Sequence, residues 1–162
     1  MTSAPFSIRP ATPGDIPAIL ALITELAVFE RLSHLMVATE QALHDGMFGP
    51  DKACETIVGE EDGQVVCYAL FFHNFSTFLA RKGIYLEDLY VRQSHRGRGY
   101  GKAMLVELAR IALARNCGRF EWSVLDWNEN AIRFYEGMGA EVMPDWRICR
   151  VAGAALDALA QR

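Results

Sequence analysis

A chain of 162 residues, 51% hydrophobic and 22% charged, fits one ordinary domain (1–162) with a sizeable core and excludes a disordered or fibrous protein. The formal net charge of -4 argues against nucleic acid as a partner, because phosphate binding rests on an excess of Lys and Arg. The opening Met1-Thr2-Ser3-Ala4-Pro5 carries no leader pattern and no apolar run is long enough to span a bilayer. The four cysteines (Cys54, Cys67, Cys117, Cys149) form no C-x-x-C pair, so free thiols in the cytoplasm are expected, away from membranes. In chain order, 6–9 alternates like a short strand, and Thr12-Pro13-Gly14-Asp15 supplies a helix start. Ile16, Ile19, Leu20, Ile23, Leu26 and Ala27 then give an apolar stripe at helical spacing. Thr39 opens a shorter helix with Ala42 and Leu43 inward. Residues 56–58 and 65–70 flank Glu61-Asp62-Gly63 as a hairpin, and 84–91 reads as a further strand. A long helix is expected over 102–115 and a strand over 120–125. A helix over 131–138, a last strand over 146–151 and a short helix over 154–159 complete the order. Strands followed by strand–helix units point to an α/β or α+β sheet with helices on its faces.

The stretch that carries chemistry begins at Leu89-Tyr90-Val91 and runs through Arg96-Gly97-Arg98-Gly99-Tyr100-Gly101-Lys102. An apolar strand leads into alternating glycines and a helix follows at once. Glycines let backbone N–H groups face a ligand, and a helix start adds free donors and a positive dipole end, so the segment reads as a phosphate cradle. A P-loop is excluded, because three residues rather than four precede Gly101-Lys102 and Ala103 stands where a hydroxyl is needed. Gly97, Gly99 and Gly101 give G-x-G-x-G rather than the dinucleotide fingerprint G-x-G-x-x-G. A plain glycine-rich turn with exposed arginines is the remaining structural alternative. No histidine (His34, His44, His73, His95) stands at metal-ligand spacing, so no metal is expected.

The spacing Arg96-x-x-Gly99-x-Gly101 resembles the pyrophosphate-binding motif of the GCN5-related N-acetyltransferases (GNAT superfamily). Tyr85-Leu86-Glu87-Asp88, Val124-Leu125-Asp126-Trp127-Asn128 and Ala131-Ile132-Arg133-Phe134-Tyr135-Glu136-Gly137-Met138-Gly139-Ala140 extend that resemblance over nearly the whole chain. Glu25-Leu26-Ala27-Val28-Phe29-Glu30-Arg31 narrows it to the spermidine/spermine (diamine) acetyltransferases and their thialysine N-acetyltransferase branch. The resemblance implies a mixed, mostly antiparallel sheet of six or seven strands, splayed between the fourth and fifth, with about four helices. It implies acetyl-CoA as co-substrate, a small-molecule amine as acceptor, and a homodimer. Leu89, Tyr90 and Val91 would bond the pantetheine arm, residues 96–102 the pyrophosphate, and Asn128, Glu129, Asn130 and Ala131 the rest of the cofactor. Tyr135 matches the general acid, and Glu87 matches the carboxylate that takes the substrate proton. Phe29, Glu30, Glu87 and Asp126 would face the acceptor.

Chemistry sets the same demands. A protonated amine has no lone pair, so a route for its proton is needed, and the developing oxyanion needs a donor. Glu87 and Asp88 are adjacent on a strand, so strict alternation expects them on opposite faces. The region 46–60 lacks the eukaryotic Phe-Tyr-His-Cys run and Phe78 stands for a family tryptophan, both on the acceptor side. Two other readings stay open: acetylation of a protein lysine or N-terminus, and a non-catalytic acyl-CoA-binding module.

Overall fold

The computed structural model describes residues 5–162, which divide into two compact units, one ending at Ser123 and the other covering Val124–Arg162. The first unit is built on a sheet of five strands in the order β1-β2-β3-β4-β5. They are β1 (Ser7–Pro10), β2 (Glu55–Glu61), β3 (Gln64–Ser76), β4 (Arg81–Val91) and β5 (Phe120–Trp122). The first four pair antiparallel in sequence order, and β5 joins β4 in parallel. The hairpin between β2 and β3 turns through Asp62 and Gly63, both at positive φ (52° and 74°). That is the turn whose twist matches the strands it joins.

Helix α1 (Ile16–Phe29) begins where the sequence placed its start. Thr12 donates from its backbone N–H and its hydroxyl to Asp15 Oδ2, at 2.7 and 3.0 Å. Ile16, Ile19 and Leu22 are buried against Val58, Tyr68 and Tyr90, with Ile23 and Leu26 beside them. Helix α2 (Glu40–Phe48) is capped by Thr39, whose hydroxyl accepts from the Ala42 N–H, and contributes Met47 to the same core. Ala42, expected inward, is exposed. Helix α3 (Tyr100–Ala114) buries Met104, Leu105, Leu108 and Ala112. Just after it, Arg115 holds Glu55 of β2 through two bonds of 2.6 and 2.9 Å.

In the second unit, α4 (Glu129–Gly137) starts at Asn128, whose side-chain oxygen accepts from the Ala131 N–H at 3.3 Å. It ends on Gly139 at φ 92°, where the Gly139 and Ala140 N–H groups return to Glu136 and Tyr135. Such a left-handed residue just past a helix favours glycine. Helix α5 (Ala154–Ala160) closes the chain.

The expectation of six or seven strands is corrected to five among the described residues. Residues 146–151 form no strand: Trp146 is 77% and Ile148 68% exposed. Trp146, Ile148 and Val151 supply strand propensity, but a strand exists only where another backbone accepts its hydrogen bonds. The same reasoning trims the expected strand 120–125 to Phe120–Trp122.

Candidate active site

The site is organised by β4. Its ladder with β5 runs only from Ile84 to Leu86, opposite Phe120 to Trp122. From Glu87 to Val91 the β5 side of the strand has no ladder partner among the described residues, while the β3 side stays paired through Leu89, Tyr90 and Val91. An unpaired stretch of strand edge is a template for an extended, amide-bearing ligand.

A bulge sits at the same point. Leu86 pairs with Phe71 and Asp88 with Leu70, which leaves Glu87 as an extra residue on β4. A bulge reverses the side-chain parity of everything beyond it. Asp88 and Tyr90 therefore lie on the face that Tyr68 shares with α1, and the Tyr68 hydroxyl donates to Asp88 Oδ2 at 3.0 Å. The bulge interrupts strict alternation at Glu87 and sets Asp88 on the Tyr68 face. Burial pushes the Asp88 carboxyl up; the Tyr68 hydrogen bond opposes this and the negative charge of Glu87 adds to it. The Glu30 carboxyl, at the end of α1, is also raised by burial and by Asp88. Among the described residues none of Glu30, Glu87 and Asp88 has an ion pair with Lys or Arg. Asp88 is thus linked electrostatically to Glu87 on one side and to Glu30 on the other. Asp88, not among the site residues expected from sequence, belongs to this group; an adjacent pair of acids was the signal available.

At the end of β4 the chain passes through a 3₁₀ turn (Gln93–His95) into the glycine loop. Gly97 and Gly99 have φ of 76° and 81°, and a Cβ built on either would meet nothing within 4 Å. Glycine is demanded there by conformation, on a surface open to a ligand. The first helical bond of α3 is from the Ala103 N–H to Gly99 at 3.0 Å. The N–H groups of Tyr100, Gly101 and Lys102 therefore begin the helix without an intrahelical acceptor and form an anion site. Free backbone donors and the positive end of the helix dipole make this stretch chemically suited to a phosphate group.

The side chains of this loop are distributed less simply. Arg98 and Tyr100 both donate to the Glu61 carboxylate at the end of β2, Arg98 at 2.9 Å. Arg96 donates from Nε to the Val91 carbonyl at 3.0 Å, and its guanidinium lies 4.8 Å from the Phe29 ring centre and 5.1 Å from that of Tyr90. Lys102 is exposed. Phe29, Tyr90 and Arg96, with Glu25 and Arg92, line a cavity of about 740 Å³ beside α1. Glu25 accepts from the Tyr90 hydroxyl and from Arg92, each at 3.2 Å, two contacts that no sequence pattern announced. In the second unit Asn128 caps α4, Glu129, Asn130 and Ala131 form its first turn, and Tyr135 follows Phe134 with ring centres 5.4 Å apart. Asp126 lies in the turn before that helix.

The sequence model of the acetyltransferase (GNAT) family matches residues 20–140. The chain is 38% identical to L-ornithine N5-acetyltransferase of Arabidopsis thaliana, over 94% of this chain and 86% of that protein. It is 37% identical to the thialysine N-epsilon-acetyltransferase of Mus musculus, over 96% of this chain and 97% of that protein. Among solved structures, an integron cassette protein from the mobile metagenome of V. cholerae superposes with a TM-score of 0.82 at 25% identity, covering 97% of this chain and 98% of its own. A split-edged strand, a glycine loop running into a helix and these relatives agree: the chain belongs to the acetyltransferase (GNAT) family and is an acetyl-transferring enzyme.

Proposed function

We propose that the enzyme acetylates a primary amine of a small molecule carrying a second positive charge, such as a basic amino acid, thialysine or a diamine. The observation that carries this reading is the acidic group on and beside the β4 bulge, Glu30, Glu87 and Asp88, which has no basic partner within the first unit. A dication supplies the missing counter-charge, and relatives named for ornithine and thialysine acetylation use such acceptors. Matching residues 20–140 to one family supports reading 1–162 as a single functional domain.

Acetyl-CoA supplies an acetyl thioester when bound. In this reading Leu89, Tyr90 and Val91 hold the pantetheine arm by their backbone groups, and the N–H groups of residues 97–102 hold the pyrophosphate. Asn128–Ala131 complete the cofactor contacts. Glu87 takes the proton from the acceptor ammonium, directly or through a water molecule, and so exposes the lone pair that attacks. A backbone N–H freed from the ladder at the bulge donates to the developing oxyanion. Tyr135 gives its phenolic proton to the departing thiolate, and Phe29, Glu30 and Asp126 orient the acceptor. A reducing cytoplasm suits the four free cysteines, and exposed Trp146, Ile148 and Val151 suit burial in a homodimer.

The test is free-thiol release from acetyl-CoA across thialysine, ornithine, lysine, diaminopropane, putrescine, spermidine and a lysine peptide. Release is expected with the small dications, and Tyr135→Phe is expected to lower kcat about 100-fold. Turnover on the peptide alone refutes the small-molecule assignment. Cofactor binding with no turnover on any amine refutes catalysis.

A further inference from the structure

The glycine loop has an anchor outside the family motif. We infer that Glu61 is a positioning residue for acetyl-CoA. Its carboxylate holds Arg98 and Tyr100 so that the loop's backbone N–H groups stay aimed at the pyrophosphate, and those two side chains serve the loop rather than the phosphate. This rests on the reading that residues 97–102 hold the pyrophosphate.

Three side chains spread over six residues of the loop converge on that one carboxylate. Arg98 reaches both of its oxygens, at 2.9 and 3.3 Å, the Tyr100 hydroxyl donates to Oε1, and His95 Nε2 lies 3.3 Å from Oε2. The Glu61 side chain is only 14% exposed, although it sits at a hairpin end. Core packing does not fix this segment: residues 96–99 are exposed, and the two left-handed glycines have no neighbour within 4 Å of a built Cβ. Glycine is the residue with most backbone freedom to lose, so something else must restrain such a loop. Arg96 ties the start of the loop to the Val91 carbonyl, and the Glu61 contacts restrain the stretch that carries the two glycines.

Glu61 is itself well placed to act as one. It is the last residue of β2, paired with Gln64 across the tight Asp62–Gly63 turn. Adjacent on β2, Glu60 and Glu61 point to opposite sides and serve different partners. Glu60 binds Arg9 at 2.8 Å, and Glu61 binds the loop. Tyr100 is also held at its other end, its ring stacked on Phe6 at 3.9 Å and 5°. Phe6 lies against Gly59, where an added Cβ would meet its ring at 2.6 Å. The path therefore runs from sheet to Phe6 and Glu61, from there to Tyr100 and Arg98, and on to the first turn of α3.

The competing physical account is that Glu61 masks a phosphate-binding arginine. Removing the carboxylate charge would then release Arg98 and tighten the cofactor. The two accounts predict opposite signs for one substitution, Glu61→Gln, which keeps shape and removes charge. Binding of acetyl-CoA and of S-acetylpantetheine, which lacks the pyrophosphate, would be measured by calorimetry for wild type and variant, with KM and kcat alongside. Wild type is expected to bind acetyl-CoA far more tightly than S-acetylpantetheine; no preference between them overturns the assignment of the loop itself. Given that preference, Glu61→Gln is expected to weaken acetyl-CoA about tenfold and to raise its KM in step, because charge-assisted bonds are lost. S-acetylpantetheine binding, the acceptor KM and kcat at saturation are expected to change less than about twofold. Unchanged or tighter acetyl-CoA binding overturns the anchor, and so does an equal loss for both ligands, which would mark a general structural defect. Tyr100→Phe keeps the stack on Phe6 and removes only the hydroxyl. It is expected to weaken acetyl-CoA in the same direction, and the double variant to be no weaker than Glu61→Gln alone. Full additivity of the two substitutions overturns the proposal.

Discussion

Replacing Tyr68 by Phe removes one hydroxyl from the floor of the acidic group. Tyr68 has no exposed surface, and its hydroxyl is the donor to Asp88 at 3.0 Å. Burial holds the Asp88 carboxyl above its ordinary range, and that hydrogen bond is the influence pulling it back. Losing a hydrogen bond to a charged group costs about 1.5–3 kcal/mol when the acceptor stays charged. Asp88 can escape the cost by binding a proton, so in the variant it titrates higher still. The folded pKa of this acid lies above its unfolded value, so the native state holds the extra proton between the two. Stability therefore falls as pH rises through that window, and Tyr68→Phe widens the window upward. The expected loss is about 2 kcal/mol near pH 8, or about 4–8 °C in Tm for a chain of this size, shrinking toward pH 4–5. Urea unfolding midpoints at a series of pH values measure it, with a constant m-value as the control. Asp88→Asn is the companion variant. An amide oxygen still accepts from Tyr68 and carries no charge to bury, so stability near pH 8 is expected to match or exceed wild type. Meanwhile kcat/KM for a dicationic acceptor falls about tenfold, the order expected for losing one partly screened charge pair. A pH-independent loss in Tyr68→Phe, or an Asp88→Asn protein less stable than wild type near pH 8, would refute the reasoning.

Two further perturbations test the frame around the site. Asp15 is held down to about 2 by the Arg9 guanidinium and by Thr12, against an ordinary value of 3.8. Its contribution, about 1–2 kcal/mol after screening through the half-exposed Arg9, is present above about pH 4 and is lost as pH falls toward 2. Asp15→Asn should therefore lower the urea midpoint near neutral pH and converge on wild type in acid; a constant difference down to low pH contradicts the assignment. Gly59→Ala would drive a Cβ to 2.3 Å from Cys67 Sγ and 2.6 Å from the Phe6 ring. The overpacking should cost about 1–3 kcal/mol in unfolding and, by displacing Phe6 from Tyr100, should weaken acetyl-CoA binding. A wild-type unfolding midpoint in this variant would show that the close approach of the two strands is not a constraint.

The sequence by itself determined the features that depend on near neighbours in the chain. The start of α1 at Thr12 to Asp15, its stripe of Ile16, Ile19, Ile23 and Leu26, and the Asp62–Gly63 turn follow from side-chain periodicity and backbone conformational preference. So does the strand–glycine–helix arrangement at 89–102, because Gly97 and Gly99 adopt a conformation that other residues adopt only under strain. Only the tertiary structure decided which residue pairs with which across the sheet. The skipped register at Glu87 reverses the faces beyond it and brings Asp88 to Tyr68 and toward Glu30; no local pattern encodes a single inserted residue. Glu61 meets Arg98 and Tyr100, 37 and 39 residues away in the chain, through a hairpin end whose position depends on the whole β2–β3 ladder. Residues 146–151 show the converse. Their aromatic and β-branched residues give strand propensity, yet a ladder needs a partner backbone, and local sequence cannot supply one.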